Sequence, residues 1–174
     1  MEGDLNLLQV VGFKNSGKTT LIERVLSECK KAGKKAGVIK HHGHGCLEVH
    51  DRKKDTGRFR ESGAAVTGIA AGNELELEFV DESDWEVERI VELYRYLPLD
   101  VILVEGFKHA DFPKVVMLKQ KDDYQAFQEL KNIQAVVTWD SRLTGSDHPS
   151  IFHIFEQDRY MAWILSRLGV KPGE

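Results

Sequence analysis

At 174 residues the chain is long enough for one well-buried α/β domain and short for two. A net charge of −4, with 41% hydrophobic and 30% charged residues, fits a soluble globular protein and argues against a general nucleic-acid coat. Two cysteines form no disulfide framework, no apolar run approaches the roughly 18 residues of a membrane span, and residues 1–4 lack the basic start of a signal peptide. The expectation is a cytoplasmic protein with no nucleic-acid or membrane partner.

The elements follow in order. Residues 5–11 are mostly apolar and predict a buried strand. They run into residues 12–19, GFKNSGKT, two glycines five apart followed by lysine and a hydroxyl residue. Leu21, Ile22, Val25, Leu26 and Cys29 then recur at helical spacing, predicting a helix over residues 19–32 that Gly33 stops. Residues 36–40 read as a second strand, followed by a polar loop containing His41, His42, His44 and Cys46. Residues 51–60 place five basic side chains in ten positions. Residues 66–71 and the strictly alternating 74–79 predict two strands, the latter with one buried face and one carboxylate face. Ser83 and Glu86 form a capping box, predicting a helix that buries Val87, Ile90, Val91, Tyr94 and Leu97 and ends at Pro98. Strands are predicted at residues 100–106, 113–118, 133–139 and 151–154, with a short helix possible within 119–132. A final amphipathic helix covers residues 155–168, and no linker or repeat divides the chain.

A strand that turns through glycines into a helix aims backbone N–H groups and the positive helix end at an anion. On that pattern Gly12, Asn15, Ser16, Gly17 and Thr20 line a phosphate cradle, Lys18 reaches the outer phosphates and the Thr19 hydroxyl holds Mg2+. The metal needs an acid at the carboxyl end of a neighbouring strand. Asp100 and Glu105 flank one apolar strand, separated by roughly 16 Å along it at about 3.3 Å per residue. Glu105 stands at the loop edge and is the expected ligand. Asp51 and Asp55 are further candidates to position Mg2+ or the attacking water, and Arg58 to clamp a second anion. His41 and its neighbours line either a second-substrate site or a soft-metal site. Asp140, closing a late strand, is a candidate reader of a guanine edge.

Taken together, GFKNSGKTT at 12–20, VIKHH at 38–42, Asp51 with KDT at 54–56, SGA at 62–64 and LVEGFK at 103–108 resemble the MobB family, molybdopterin-guanine dinucleotide biosynthesis protein B. The motifs run from the first strand to mid-chain, and the last third matches only in VVTWD at 136–140. The resemblance implies a phosphate-loop NTPase-type α/β fold: a mostly parallel twisted sheet flanked by helices, as one domain over residues 1–174. An added antiparallel hairpin, about residues 64–82, would serve dimerisation. It implies a homodimeric GTP-binding protein with weak GTPase activity, assisting the guanylyltransferase that joins GMP to molybdopterin. Lys18, Thr19 and Glu105 would act on GTP and Mg2+, and the basic segment 52–60 would suit the pterin's phosphate. Phe13 stands where some dimeric relatives carry a loop lysine, and the Asn-Lys-x-Asp guanine motif is absent, so GTP rests on the resemblance. Two other classes fit the same residues: a small-molecule kinase using Arg58 as acceptor clamp, and a nucleotide-gated adaptor without useful catalysis.

Overall fold

The computed structural model describes residues 6–43, 55–143 and 150–171. The chain divides into two compact units, one built from residues 1–41 and 87–174, the other from residues 42–86.

The first unit is a six-stranded parallel sheet. Its strands are β1 (Asn6–Gly12), β2 (Ala36–Lys40), β5 (Val101–Glu105), β6 (Lys114–Leu118), β7 (Ile133–Thr138) and β8 (Ser150–His153). Their spatial order is β2-β5-β1-β6-β7-β8. Every pairing is parallel, which explains why the strands read as mostly apolar runs: both faces are covered. All five residues of β5 and of β6 are buried.

Alternate side chains of β1 serve opposite layers. Leu8 and Val10 pack with Leu103 and Val115 against α1 (Lys18–Lys31) and α4 (Gln157–Arg167), through Leu21, Val25, Tyr160 and Ile164. On the other face Ile39, Ile102 and Val104 meet Val87 and Val91 of α3 (Val87–Arg95), while Val11, Val116 and Val136 meet Phe127 of a 3-10 turn, Lys121–Phe127. Helix α1 stops as its sequence requires. Gly33 takes φ +67°, and the Lys34 N–H returns to Cys29 O at 2.8 Å.

The second unit holds α2 (Asp55–Glu61) and an antiparallel hairpin of β3 (Val66–Ala71) and β4 (Glu74–Phe79), registered from Val66 opposite Phe79 to Ala71 opposite Glu74. Here one expectation is corrected. The apolar face of β4 is not buried within the chain, for Leu75 is 66% and Leu77 51% exposed. The capping box also fails to form. Asp81 instead accepts from the N–H groups of Glu82 and Ser83, Trp85 packs edge-on against Phe79 at 5.9 Å, and α3 starts only at Val87. Leu97 lies beyond α3 and is exposed.

Candidate functional site

Strand β1 delivers Gly12 to the carboxyl edge of the sheet, in register with Met117. The fit there is tight. A Cβ on Gly12 would lie 2.5 Å from Met117 O and 2.6 Å from Ser16 Oγ. Asn15 at φ +60° and Gly17 at φ +100° then turn the chain into α1, whose first helical bond runs from Leu21 N–H to Gly17 O at 2.9 Å. No acidic residue occupies the first turn of α1, so the helix itself supplies no negative charge at its positive end. Ser16 is 1% exposed and its Oγ has no hydrogen-bond partner. A buried hydroxyl in that state is costly unless something else meets it. Thr20 lies exposed in the same first helical turn.

Three side chains converge beside this turn. Lys18 Nζ donates to Phe13 O at 2.8 Å, folding the ammonium back over the loop. Burial lowers its pKa below the usual lysine range, with Glu105 opposing and Lys40 reinforcing the shift. Thr19 Oγ1 donates to Glu105 Oε2 at 3.2 Å, and Lys40 Nζ lies 3.5 Å from the same oxygen. Glu105 is 8% exposed. A hydroxyl and a carboxylate so placed are hard oxygen donors next to a cluster of cationic groups, which suits phosphate and a hard cation together. Asp100 sits at the opposite end of β5. It accepts from Lys35 N–H at 2.8 Å and Lys34 Nζ at 3.0 Å, bonds that hold its carboxyl below the usual range.

Gln9 was not singled out from the sequence, yet it organises the turn after Glu105. It is fully buried, and its Nε2 donates to Gly106 O and to Phe107 O, both at 2.6 Å. Those two residues hold positive φ, +90° and +49°. A Cβ on Gly106 would come within 2.8 Å of His41 Cβ, and the His41 ring packs on the Phe107 ring at 4.6 Å. The His41 N–H donates to Glu105 O at 2.9 Å, so that histidine borders the same turn. A polar amide between apolar neighbours, Leu8 and Val10, was the available signal.

Asp140 lies at the carboxyl end of β7. Its carboxylate accepts from the Arg142 N–H at 3.0 Å and from the Arg142 guanidinium, with Nε at 2.8 Å. Of the remaining predicted residues, Asp55 and Arg58 belong to the second unit. They lie one turn apart in α2, 3.7 Å from one another, both largely exposed. Asp51, His44 and Cys46 lie outside the described residues. Among the described residues no group of three or more His, Cys, Asp or Glu side chains is gathered for a metal, and no helix is long and apolar enough to cross a membrane.

The comparisons with known proteins agree with the motifs. The family model described as MobB, molybdopterin guanine dinucleotide synthesis protein B, matches residues 7–139. A Bacillus subtilis relative named as a probable molybdopterin-guanine dinucleotide biosynthesis adapter protein is 40% identical over 148 residues, covering 84% of each chain. The crystal structure of Bacillus subtilis MobB superposes with a TM-score of 0.78 at 38% identity, over 97% of this chain and 99% of that one. A MobB homologue from Bacillus stearothermophilus gives 0.76 at 31% identity, over 95% and 99%. With most of its length matched in both sequence and fold, the chain belongs to the MobB family of molybdopterin guanine dinucleotide biosynthesis adapter proteins.

Proposed function

We propose that the chain holds a nucleoside triphosphate, GTP by preference, on residues 12–20, and serves molybdopterin guanine dinucleotide assembly as a cytoplasmic, homodimeric adapter beside a guanylyltransferase. One observation carries the nucleotide assignment: Lys18, Thr19 and Glu105 converge at the mouth of a glycine-built turn that opens a helix. The cradle is supported by Gly12, where a side chain would collide, and by the Ser16 hydroxyl, buried without a partner.

The donor set fits Mg2+, which prefers oxygen ligands and keeps several waters. Thr19 and Glu105 would hold it. When bound, the ion supplies neutralisation of charge on the outer phosphates. The chain's own residues do the rest. The loop N–H groups, including those of Asn15, Ser16 and Gly17, bind phosphate oxygens, and Lys18 exchanges Phe13 O for the outer phosphate. Lys40 balances Glu105. Arg58, in the basic segment of the second unit, is assigned to the phosphate of molybdopterin, and His41 borders the Glu105 turn of the first. No side chain in this assignment is a general base, so hydrolysis is slow and catalysis consists of positioning and charge stabilisation. Asp140 reads a guanine edge only once its bond to Arg142 opens. Preference for GTP over ATP rests on the family resemblance, with the guanine dinucleotide in the relatives' names as its support.

The adapter role has independent physical support in the hairpin over residues 64–82. Its exposed Val66, Leu75 and Leu77 share one face and form apolar surface suited to a second copy. Titration of labelled GTP with Mg2+ against Lys18→Ala tests the core of the proposal. A charge-assisted bond contributes about 1.5–3 kcal/mol, so the affinity should fall roughly ten- to hundred-fold. An unchanged Kd would remove the phosphate-loop assignment.

A further inference from the structure

Beside the phosphate turn the chain presents two large aromatic rings that the core does not use. Trp139 is 49% exposed and Phe155 82% exposed. Trp139 follows β7 directly and is held at three points. Its N–H donates to Leu118 O at 3.0 Å, its carbonyl meets His153 Nε2 at 3.2 Å, and its indole Nε1–H donates to Ser16 O at 3.4 Å. The third bond ties the ring to the phosphate turn itself. The Phe155 ring stands 6.3 Å away at 75°, and the His153 ring lies 5.1 Å from Phe155. Two rings near a right angle make a corner, a floor and a wall for a third planar ring.

A half-exposed indole at a solvent-facing strand end has little structural reason to donate to the phosphate turn. Anchoring makes sense for a ligand with phosphates at one end and a flat heterocycle at the other. Both ends then fall at the carboxyl edge of one parallel sheet, the edge where such sheets collect ligands. The neighbouring Asp140 keeps its carboxylate on Arg142, so the aromatic faces are the available contact. Resting on the nucleotide assignment above, we propose that Trp139, with Phe155 as side wall, stacks the base of the nucleotide whose phosphates the loop holds. Stacking uses the π-face that every base has. This platform therefore adds affinity without choosing guanine over adenine, and it complements a loop that lacks an Asn-Lys-x-Asp motif.

Calorimetric titration of the full chain with GTP, ATP and inorganic tripolyphosphate, each with Mg2+, tests this for the parent chain and for Trp139→Ala, Trp139→Phe and Phe155→Ala. Trp139→Ala should weaken GTP and ATP about tenfold, the size of one base–aromatic stack, and leave tripolyphosphate unchanged. Trp139→Phe should restore most of the loss, and Phe155→Ala should show a smaller loss with the same ligand pattern. An equal loss for tripolyphosphate would mean that the indole acts only by shaping the turn through Ser16, and the stack would be refuted. No loss for any ligand refutes it too. If the parent chain binds tripolyphosphate as tightly as GTP, the stack fails and the phosphate loop stands. If it binds none of the three, both fail.

Discussion

Gln9→Leu is the substitution that best separates the local architecture from a generic phosphate turn. The amide makes two 2.6 Å bonds to consecutive carbonyls, Gly106 O and Phe107 O, while its own Oε1 is buried without a partner. Leucine has similar bulk and keeps the strand apolar, so cavity formation is minor. Two neutral hydrogen bonds are lost, at about 1 kcal/mol each. Relief of the unpaired Oε1 offsets about 1 kcal/mol of that. A net loss of about 1 kcal/mol follows, or roughly 2–4 °C in Tm for a chain of this size. The functional effect should exceed the thermal one. Gly106 and Phe107 need positive φ, and without Gln9 that turn is free to relax, carrying Glu105 and His41 with it. The assay pairs a thermal melt with GTP titration at a temperature where the variant remains folded. A Tm within about 1 °C of the parent, together with unchanged affinity, would refute the claim that Gln9 holds the turn.

Gly12→Ala should destabilise by about 1–3 kcal/mol in urea unfolding, because the added carbon meets a strand carbonyl that cannot retreat and the buried Ser16 hydroxyl; an unchanged midpoint would contradict the close approach. Lys114 is fully buried, its Nζ donating to Ala110 O at 2.7 Å and to Lys131 O, and burial lowers its pKa while Asp111 opposes. Between that lowered value and about 10.4 the unfolded chain binds more protons, so stability should rise with pH there. Lys18 contributes in the same direction, so Lys114→Met isolates the Lys114 share as a reduced slope in denaturation midpoints, and an identical slope would sink it. Leu75→Lys with Leu77→Lys should convert a micromolar dimer to monomer in sedimentation, since both side chains share one exposed face of β4; a parent chain that is already monomeric would end the hairpin-dimer proposal.

Much of the scaffold was legible because its signals are local. The phosphate turn is a contiguous string, β2 spans residues 36–40 as its apolar pattern indicates, and the carboxyl-edge location of Glu105 follows from strand length alone. What escaped needed partners distant in sequence. The exposed face of β4 reads as buried because alternation reports amphipathicity without saying what covers it. The start of α3 lies later than the local pattern reads: Asp81 takes the Ser83 N–H that the Glu86 side chain of a capping box would accept from, and Trp85 packs on Phe79. Gln9 and Trp139 were passed over for a related reason. Each is a single residue whose importance lies in a bond to a segment about 100 or more positions away.

The strand order carries a consequence for how the chain reaches its fold. The neighbours of β1 are β5 and β6, which begin at Val101 and Lys114, so the first strand made has no partner until some ninety residues more have followed. At roughly 5–20 residues per second, synthesis leaves it waiting for on the order of 5–20 s. The hairpin, by contrast, pairs residues separated by a two-residue turn and can close as soon as it emerges. The segment inserted into the first unit is thus free to assemble before the sheet whose chain it interrupts. Translation order therefore sets a built-in delay on the nucleotide site, and slowing elongation within residues 13–100 should lengthen the exposure of β1 to chaperones.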